Sequence, residues 1–377
     1  MNTIEHQQQE AQTTFEHLSL PKEREEAWRH TFIEKLALES FLSFQEPIIS
    51  LTAPKDAVER GAVFCDMRTA IRKHAELVAP HFLKIASLSD KMIALAASQW
   101  KNGVFLYVPK KVHIDEPFIA TLRSSANTAL YHLIIIESES SVNYLEESEY
   151  FCEQESLSCS LGEISVGENA SLSVHSLCLA SSNHRHFGSF VGEVKQDATL
   201  NWFWASFGGK LNRTRMDTKL IGKGASTENN GVFIGKNKEH LDATTNVLHK
   251  NENTTNNMKI NGIMKDSASS IYRGLIKITK EGRGTNSYLS NHILKLSEDA
   301  RANSIPALEI DNNEVKASHG ATVGQIDEEQ LFYLKSRGLT KEEAEHLIVG
   351  GFFEPIVEKI VDKYIRERFH KSIERAR

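Results

Sequence analysis

Val166-Gly167-Glu168-Asn169-Ala170 is the first copy of a pattern that recurs along the middle of the chain: an apolar residue, two variable ones, a turn-forming or small residue, then alanine. The later copies are Val194-Lys-Gln-Asp-Ala198, Ile221-Gly-Lys-Gly-Ala225, Met264-Lys-Asp-Ser-Ala268 and Leu296-Ser-Glu-Asp-Ala300. Successive alanines lie 28, 27, 43 and 32 residues apart, and a partial copy, Leu241-Asp242-Ala243-Thr244, falls in the longest gap. A strand end, a Gly, Asn or Asp turn and a small buried residue at such intervals describe a coiled stack of short strands. The segment 251–262, NENTTNNMKING, suits the polar turns of such a stack. Turns of this kind also occur in other β-rich chains, and the intervals are irregular, so on pattern alone a sandwich or barrel stays open beside the solenoid.

Working outward from the repeat, strand character begins at Gly103. GVFLYVPKKVHID and ALYHLIIIESESSVNYLEE are β-branched and aromatic runs of strand length. Residues 1–102 read as a helical region instead. Pro21 opens KEREEAWRHTFIEKLALESF, whose Trp28, Phe32, Ile33, Leu36 and Phe41 are spaced as one helical stripe. Pro47 and Pro54 mark a loop, and helical spacing resumes from Lys55 to Gln99 through Val58, Val63, Ile71 and Leu77. Strands are expected over 103–317 and a helical domain over 318–377. There Asp327-Glu328-Glu329 starts a helix that ends at Arg337-Gly338. Thr340 through Glu343 forms a capping box for the next. Gly350-Gly351 and Pro355 suggest a fresh start for a final helix with a broad apolar stripe at Phe352, Phe353, Ile356, Val357, Ile360, Val361, Tyr364 and Ile365. Such a stripe packs on the chain itself or docks a partner.

The 377 residues are 40% hydrophobic and 25% charged, with a net charge of −6, which excludes long disorder and argues against a nucleic-acid footprint. No apolar run approaches the roughly 20 residues of a membrane span, and the polar, acidic start has no signal-peptide character. A cytoplasmic protein is the expectation, without membrane or nucleic-acid partners. The four cysteines, Cys65, Cys152, Cys159 and Cys178, have neither disulfide-framework nor zinc-knuckle spacing, and the last three read as core residues of strands.

No phosphate-binding P-loop, nucleophile elbow or H-E-x-x-H helix is present. His184-Arg185-His186 could offer two imidazoles to a metal, although its neighbours suggest an exposed turn. A strand solenoid also raises the alternative of a carbohydrate-active lyase or hydrolase, for which Asp217 and Asp242 are isolated candidates.

Residues 314–356 read EVKASHGATVGQIDEEQLFYLKSRGLTKEEAEHLIVGGFFEPI. This segment closely resembles the SufB/SufD family, the scaffold subunits of SUF iron–sulfur cluster assembly, and most its SufD branch. GVFLYVPKKVHIDEPF at 103–118 and TNSYLSNHILKLSEDARANSIPALEI at 285–310 carry the same resemblance, which covers most of the chain and is weakest over the first 50 residues. It implies a mainly β protein: a right-handed parallel β-helix flanked by N- and C-terminal helical domains. It implies no enzymatic activity, a pairing with a SufB-like paralogue through end strands, and an ABC-type ATPase, SufC, held by the C-terminal helices. Phe352, Phe353, Glu354, Pro355 and Ile356 fall where the ATPase is expected. His319, in the S-H-G-A-T motif, becomes the candidate ligand for iron or a nascent cluster at the SufB interface, with a structural, hydrogen-bonding histidine as the alternative. Asn291 stands where SufB has its sulfur-accepting cysteine, Gly320 where SufB has a glutamate, and Ala317 where SufD relatives often have cysteine. No cofactor is expected to bind stably to the chain alone. Iron or a cluster belongs to the heterocomplex, a flavin in that complex has no assignable residues here, and a homodimer is conceivable when the partner is missing.

Overall fold

The structure, a computed structural model, describes residues 3–376. Among them, strands β1 (Ile48–Thr52), β2 (Val63–Asp66), β3 (Val104–Val108), β4 (His113–Ser124), β5 (Thr128–Ile136) and β6 (Ser141–Tyr150) come first. They are followed by β7 (Ser156–Val166), β8 (Ser171–Ala180), β9 (His184–Val194), β10 (Thr199–Gly208), β11 (Leu211–Leu220) and β12 (Ser226–Gly235). The last are β13 (His240–His249), β14 (Thr255–Met264), β15 (Ser269–Ile278), β16 (Asn286–Lys295), β17 (Arg301–Ile310) and β18 (Lys316–Gln325). The even-numbered strands from β4 onward stack in parallel as one sheet with β1 at its edge, and the odd-numbered strands form a second sheet ending at β2. Each coil therefore contributes one strand to each sheet. This is a parallel β-solenoid, as the repeat suggested.

The repeat's geometry also accounts for its irregular spacing. Ala170, Ala198 and Ala225 immediately precede β8, β10 and β12 of the even sheet, whereas Ala268 and Ala300 precede β15 and β17 of the odd one. The 43-residue interval thus crosses from one sheet to the other, one and a half coils along. All five alanines are buried, and Asn169, Asp197 and Gly224 just before three of them adopt positive φ. Only Gly, Asn and Asp enter that left-handed region cheaply, so the turn chemistry follows from the backbone. Ala243, by contrast, lies within β13 and is no turn copy. The turn position is filled elsewhere by Ser140, Thr254 and Thr285, also buried, which an alanine search misses. Of the asparagine-rich segment only 251–254 is turn. Asn256 and Asn261 lie on β14, with the Asn256 amide donating to the Ser287 hydroxyl at 2.9 Å inside the coil.

Each outer sheet face has its own cover. Over the odd sheet lie α1 (Thr3–His17), α2 (Met67–Lys73), α3 (Ala75–Val78) and α4 (Lys91–Gln99), burying Phe82, Leu95, Phe105, Tyr131, Leu157 and Phe187 together. Over the even sheet lie α6 (Lys341–Val357) and α7 (Lys363–Ala376), which follow α5 (Glu328–Ser336). Among the described residues no helix is long and apolar enough to cross a membrane.

Three helical expectations are corrected. Residues 21–41 contain only short 3-10 turns, Glu26–Trp28 and Leu38–Phe41. Trp28, Ile33, Leu38 and Phe41 are buried one by one along the odd sheet, while Phe32, which a helical stripe would bury, is 66% exposed. His30 interrupts any helix with φ of 72°. The Arg213 guanidinium lies 3.9 Å over the Trp28 ring, so contacts to the sheet override local periodicity. Similarly, Val58 is exposed and Val63 lies on β2, in a stretch read as helical. At the other end α5 starts at Asp327's cap and Thr340 makes its capping box, as expected. However, Gly350, Gly351 and Pro355 do not restart a helix. They lie inside α6, and the break comes after Val357. Pro355 has no N–H to give to the Gly351 carbonyl, which weakens the last turn just before the break, and burial of Phe353, Ile356 and Val357 on the sheet holds that turn.

Candidate partner interface

Side chains alternate inward and outward along each strand, and parallel pairing lines them up from coil to coil. Following one inward column by register gives Tyr144, Val174, Trp202, Asn229, Met258, Leu289 and finally His319. The first six are buried, but His319 on β18 is exposed because nothing follows it. The strand that carries it runs to Gln325, so the SHGATVGQ motif is the last rung of the solenoid. Ala317 and Ala321 flank the histidine in the same inward line, over Ser287 and Asn291.

Asn291 belongs one coil deeper. It is fully buried, its amide donates to the Ile260 carbonyl at 3.0 Å, and its oxygen accepts from the Ser304 hydroxyl at 2.6 Å. This ties the two sheets together just below the open end and leaves the side chain no face for a partner, correcting the expectation that Asn291 contacts one.

β17 and β18 end their sheets as ten-residue edge strands. Ile310 and Val323 are exposed large hydrophobic residues on them, beside the exposed Tyr288 of β16. A long edge with little charge is a template for pairing with another chain.

The apolar stripe of α6 is used mostly within the chain. Phe353 is 1% exposed and packs with Ile356 against Phe203, Val232 and Ile263, so neither is presented outward, contrary to a direct docking role. The Phe352 carbonyl accepts from the Asn261 amide at 2.8 Å. Phe352 and Glu354 are half-buried and Pro355 is exposed. Arg368 of α7 holds Glu147 with two bonds of 2.6 and 2.7 Å, fastening the helices to β6. What α5 and α6 do expose is a different apolar set: Phe332 at 74%, Tyr333 at 60% and Leu347 at 57%. A Cβ added to Gly351 on this face would meet nothing within 4 Å, so the fold itself does not require glycine there.

His184 and His186 lie on β9 and point into the coil, not into an exposed turn. His184 is within 2.7 Å of both Ser156 and Ser158, and His186 is 2.8 Å from Ser158. Tyr150 stacks on both rings. Burial lowers their pKa values to about 3 and about 4, and the rings act as neutral partners of the serines. Among the described residues no group of three or more His, Cys, Asp or Glu side chains could hold a metal ion. Cys152, Cys159 and Cys178 are buried and Cys65 is half-buried. Burial pushes the Cys178 thiol up to about 12 and Cys65 to about 11, so thiolate chemistry is disfavoured.

The carboxylates considered for carbohydrate chemistry are engaged elsewhere. Asp242 is buried beneath Arg213 and Arg273 and accepts from Thr31 at 2.5 Å. Asp217 pairs with Arg215 at 2.8 Å and accepts from Asn246 at 2.7 Å. Neither forms a carboxylate pair across a groove.

Comparison with known proteins agrees with this architecture. The family profile described as SUF system FeS cluster assembly, SufBD core domain, matches residues 119–352, and the SufBD protein N-terminal region matches residues 33–119. The chain is 33% identical over 334 residues to the iron–sulfur cluster assembly protein SufD of Bacillus subtilis, covering 86% of this chain and 76% of that protein. It is 28% identical over 364 residues to an iron–sulfur cluster assembly SufBD family protein of Staphylococcus epidermidis, covering 95% and 76%. A Staphylococcus aureus family member matches at the same identity and coverage.

Proposed function

Because the chain belongs to the SufBD family of SUF iron–sulfur cluster assembly, we propose that it works as a non-catalytic, SufD-like scaffold subunit in the cytoplasm. The observation that carries this reading is the open end of the solenoid, where two ten-residue edge strands and an exposed inward-facing histidine meet. A SufB-like paralogue completes the sheets by pairing with β17 and β18, which also removes the exposed edges. His319 then lies at the junction, where its imidazole offers one nitrogen to iron or a nascent cluster, the cargo of the complex. The remaining ligands come from the partner, since among the described residues no group of three or more His, Cys, Asp or Glu side chains could hold a metal ion. No residue of this chain is assigned to a flavin.

The ABC-type ATPase SufC docks on the α5–α6 face through Phe332, Tyr333 and Leu347, with Gly351 allowing close backbone approach. Of the residues the sequence suggests for the dock, Pro355 is exposed and Phe352 and Glu354 are half-buried. Phe353 and Ile356 support it from beneath. The test is size-exclusion chromatography of the full chain with SufB and SufC. Co-elution of the three supports the proposal, and elution of this chain alone, or only as a homodimer, contradicts it. Phe332→Asp should abolish SufC binding and leave SufB pairing intact, whereas unchanged SufC binding would refute the dock.

A further inference from the structure

Where the N-terminal cover of the odd sheet runs out, residues 30–41 overhang the beginnings of its later strands and enclose a cleft of about 720 Å³. That is within the range of small-ligand sites. Its sheet side carries Arg185, Lys210 and Arg301, and its overhang carries Lys35. A single carboxylate lines it, Glu155, already bonded to Arg185 at 3.1 Å and to Lys210. Among the described residues Lys35 and Arg301 have no acidic partner. Glu34 and Glu39, on the same overhang, do not line the cleft. Directly behind the overhang the buried Arg213 and Arg273 share one carboxylate, Asp242, which leaves a further positive charge. The Arg273 Nε has no hydrogen-bond partner. This excess of cations occurs in a chain whose net charge is −6.

We propose that this cleft binds a small polyanion of phosphate chemistry. Cations reach it from opposite sides, from the overhang and from the row of strand starts. A tetrahedral phosphate group, with oxygens in every direction, uses both sides, whereas a planar carboxylate is satisfied by one guanidinium fork. Ser269 and Asn303 add neutral donors at the same wall. Ile33, Leu36 and Phe41 line the rest, and an apolar wall lowers the local dielectric and strengthens each charge interaction. Arg185 is itself positioned over the Phe41 ring, 5.6 Å from its centroid, which links the overhang to the sheet across the cleft.

Calorimetric titration of the full chain with inorganic pyrophosphate tests the site, with citrate as the polycarboxylate comparison. The variants are Lys35→Ala/Arg301→Ala and Lys210→Ala, all at exposed positions, with thermal melts recorded by circular dichroism in parallel. The expected result is saturable pyrophosphate binding that the double variant weakens about tenfold or more, a difference of about 1.4 kcal/mol, with citrate binding weaker than pyrophosphate. Should the double variant melt early, the same loss is read from Lys210→Ala alone. Absence of saturable binding, binding insensitive to the variants, or citrate binding as tight as pyrophosphate would each overturn the proposal.

Discussion

At the first end of the solenoid, β1 and β2 turn antiparallel against β4 and β3, and the cover from α1 to α4 buries the neighbouring odd strands. At the last end, β17 and β18 stop as parallel edge strands, and His319 stands exposed at the top of a column whose other members are buried. A solenoid can be finished either by its own chain or by another one, and this molecule does the first at one end only. The coils between the two ends pair in parallel throughout. The difference therefore lies in what is placed beyond them, which is why the proposed pairing with a partner is put at the unfinished end.

The comparison is open to direct attack through stability. Phe105→Ala at the closed end empties a fully buried site and should cost about 3–5 kcal/mol. Val323→Ala on β18 should cost under about 1 kcal/mol in the isolated chain, since that side chain is already half in solvent. Denaturant melts of the two variants check this, and equal losses would show that the last end is buried in the isolated chain.

Glycines give a second contrast. A Cβ on Gly103 would lie 1.7 Å from the Tyr131 carbonyl oxygen, whereas one on Gly324 meets nothing within 4 Å. Gly103→Ala is expected to destabilise by about 3 kcal/mol. Gly324→Ala should leave stability unchanged or raise it by up to about 1 kcal/mol through the unfolded state.

Between the ends, burial holds His175, His186 and His249 at about 4 and His184 at about 3. The unfolded chain takes up protons that these rings do not, so the stability they allow is fully present above about pH 6.5. It is lost as pH falls through the folded values, at most about 1.4 kcal/mol per pH unit for each histidine. Glu163 opposes this, since burial raises its pKa and favours the folded state at lower pH. Urea midpoints at pH 7 and pH 5 should show the lower value at pH 5, and a reversed order would contradict the buried neutral histidines. The smallest effect on folding belongs to the open end. His319→Ala should change stability by less than about 0.5 kcal/mol while lowering iron content in the reconstituted complex with SufB and SufC. Unchanged iron would reduce the histidine to an interface residue.

The coil was legible because its turns need left-handed residues next to small buried ones, and Asn169-Ala170 and Asp197-Ala198 write that requirement openly. Copies ending in Ser140, Thr254 or Thr285 meet the same steric need without alanine, so the pattern looked sparser than it is. Residues 21–41 form no α-helix despite their spacing, because a spacing of three to five describes a helix only when one face is buried. Here the segment lies along a sheet, and distant partners such as Arg213 and Asp242 decide its conformation. On α6 the stripe itself was legible, but not which surface it covers. The matching apolar residues, Phe203, Val232 and Ile263, are scattered over three outward-facing strand positions that no local pattern connects. For the candidate site, the motif marks His319, but its exposure on the last rung and the burial of Asn291 one coil deeper depend on how many rungs follow, which no local pattern states.

Hydrogen exchange of the full chain, free and mixed with SufB, measures the central claim most directly. The account predicts that backbone amides of 301–310 and 316–325 gain protection on mixing while those of 48–52 and 63–66 do not change. A stable complex that leaves β17 and β18 as exchangeable as in the free chain would contradict it.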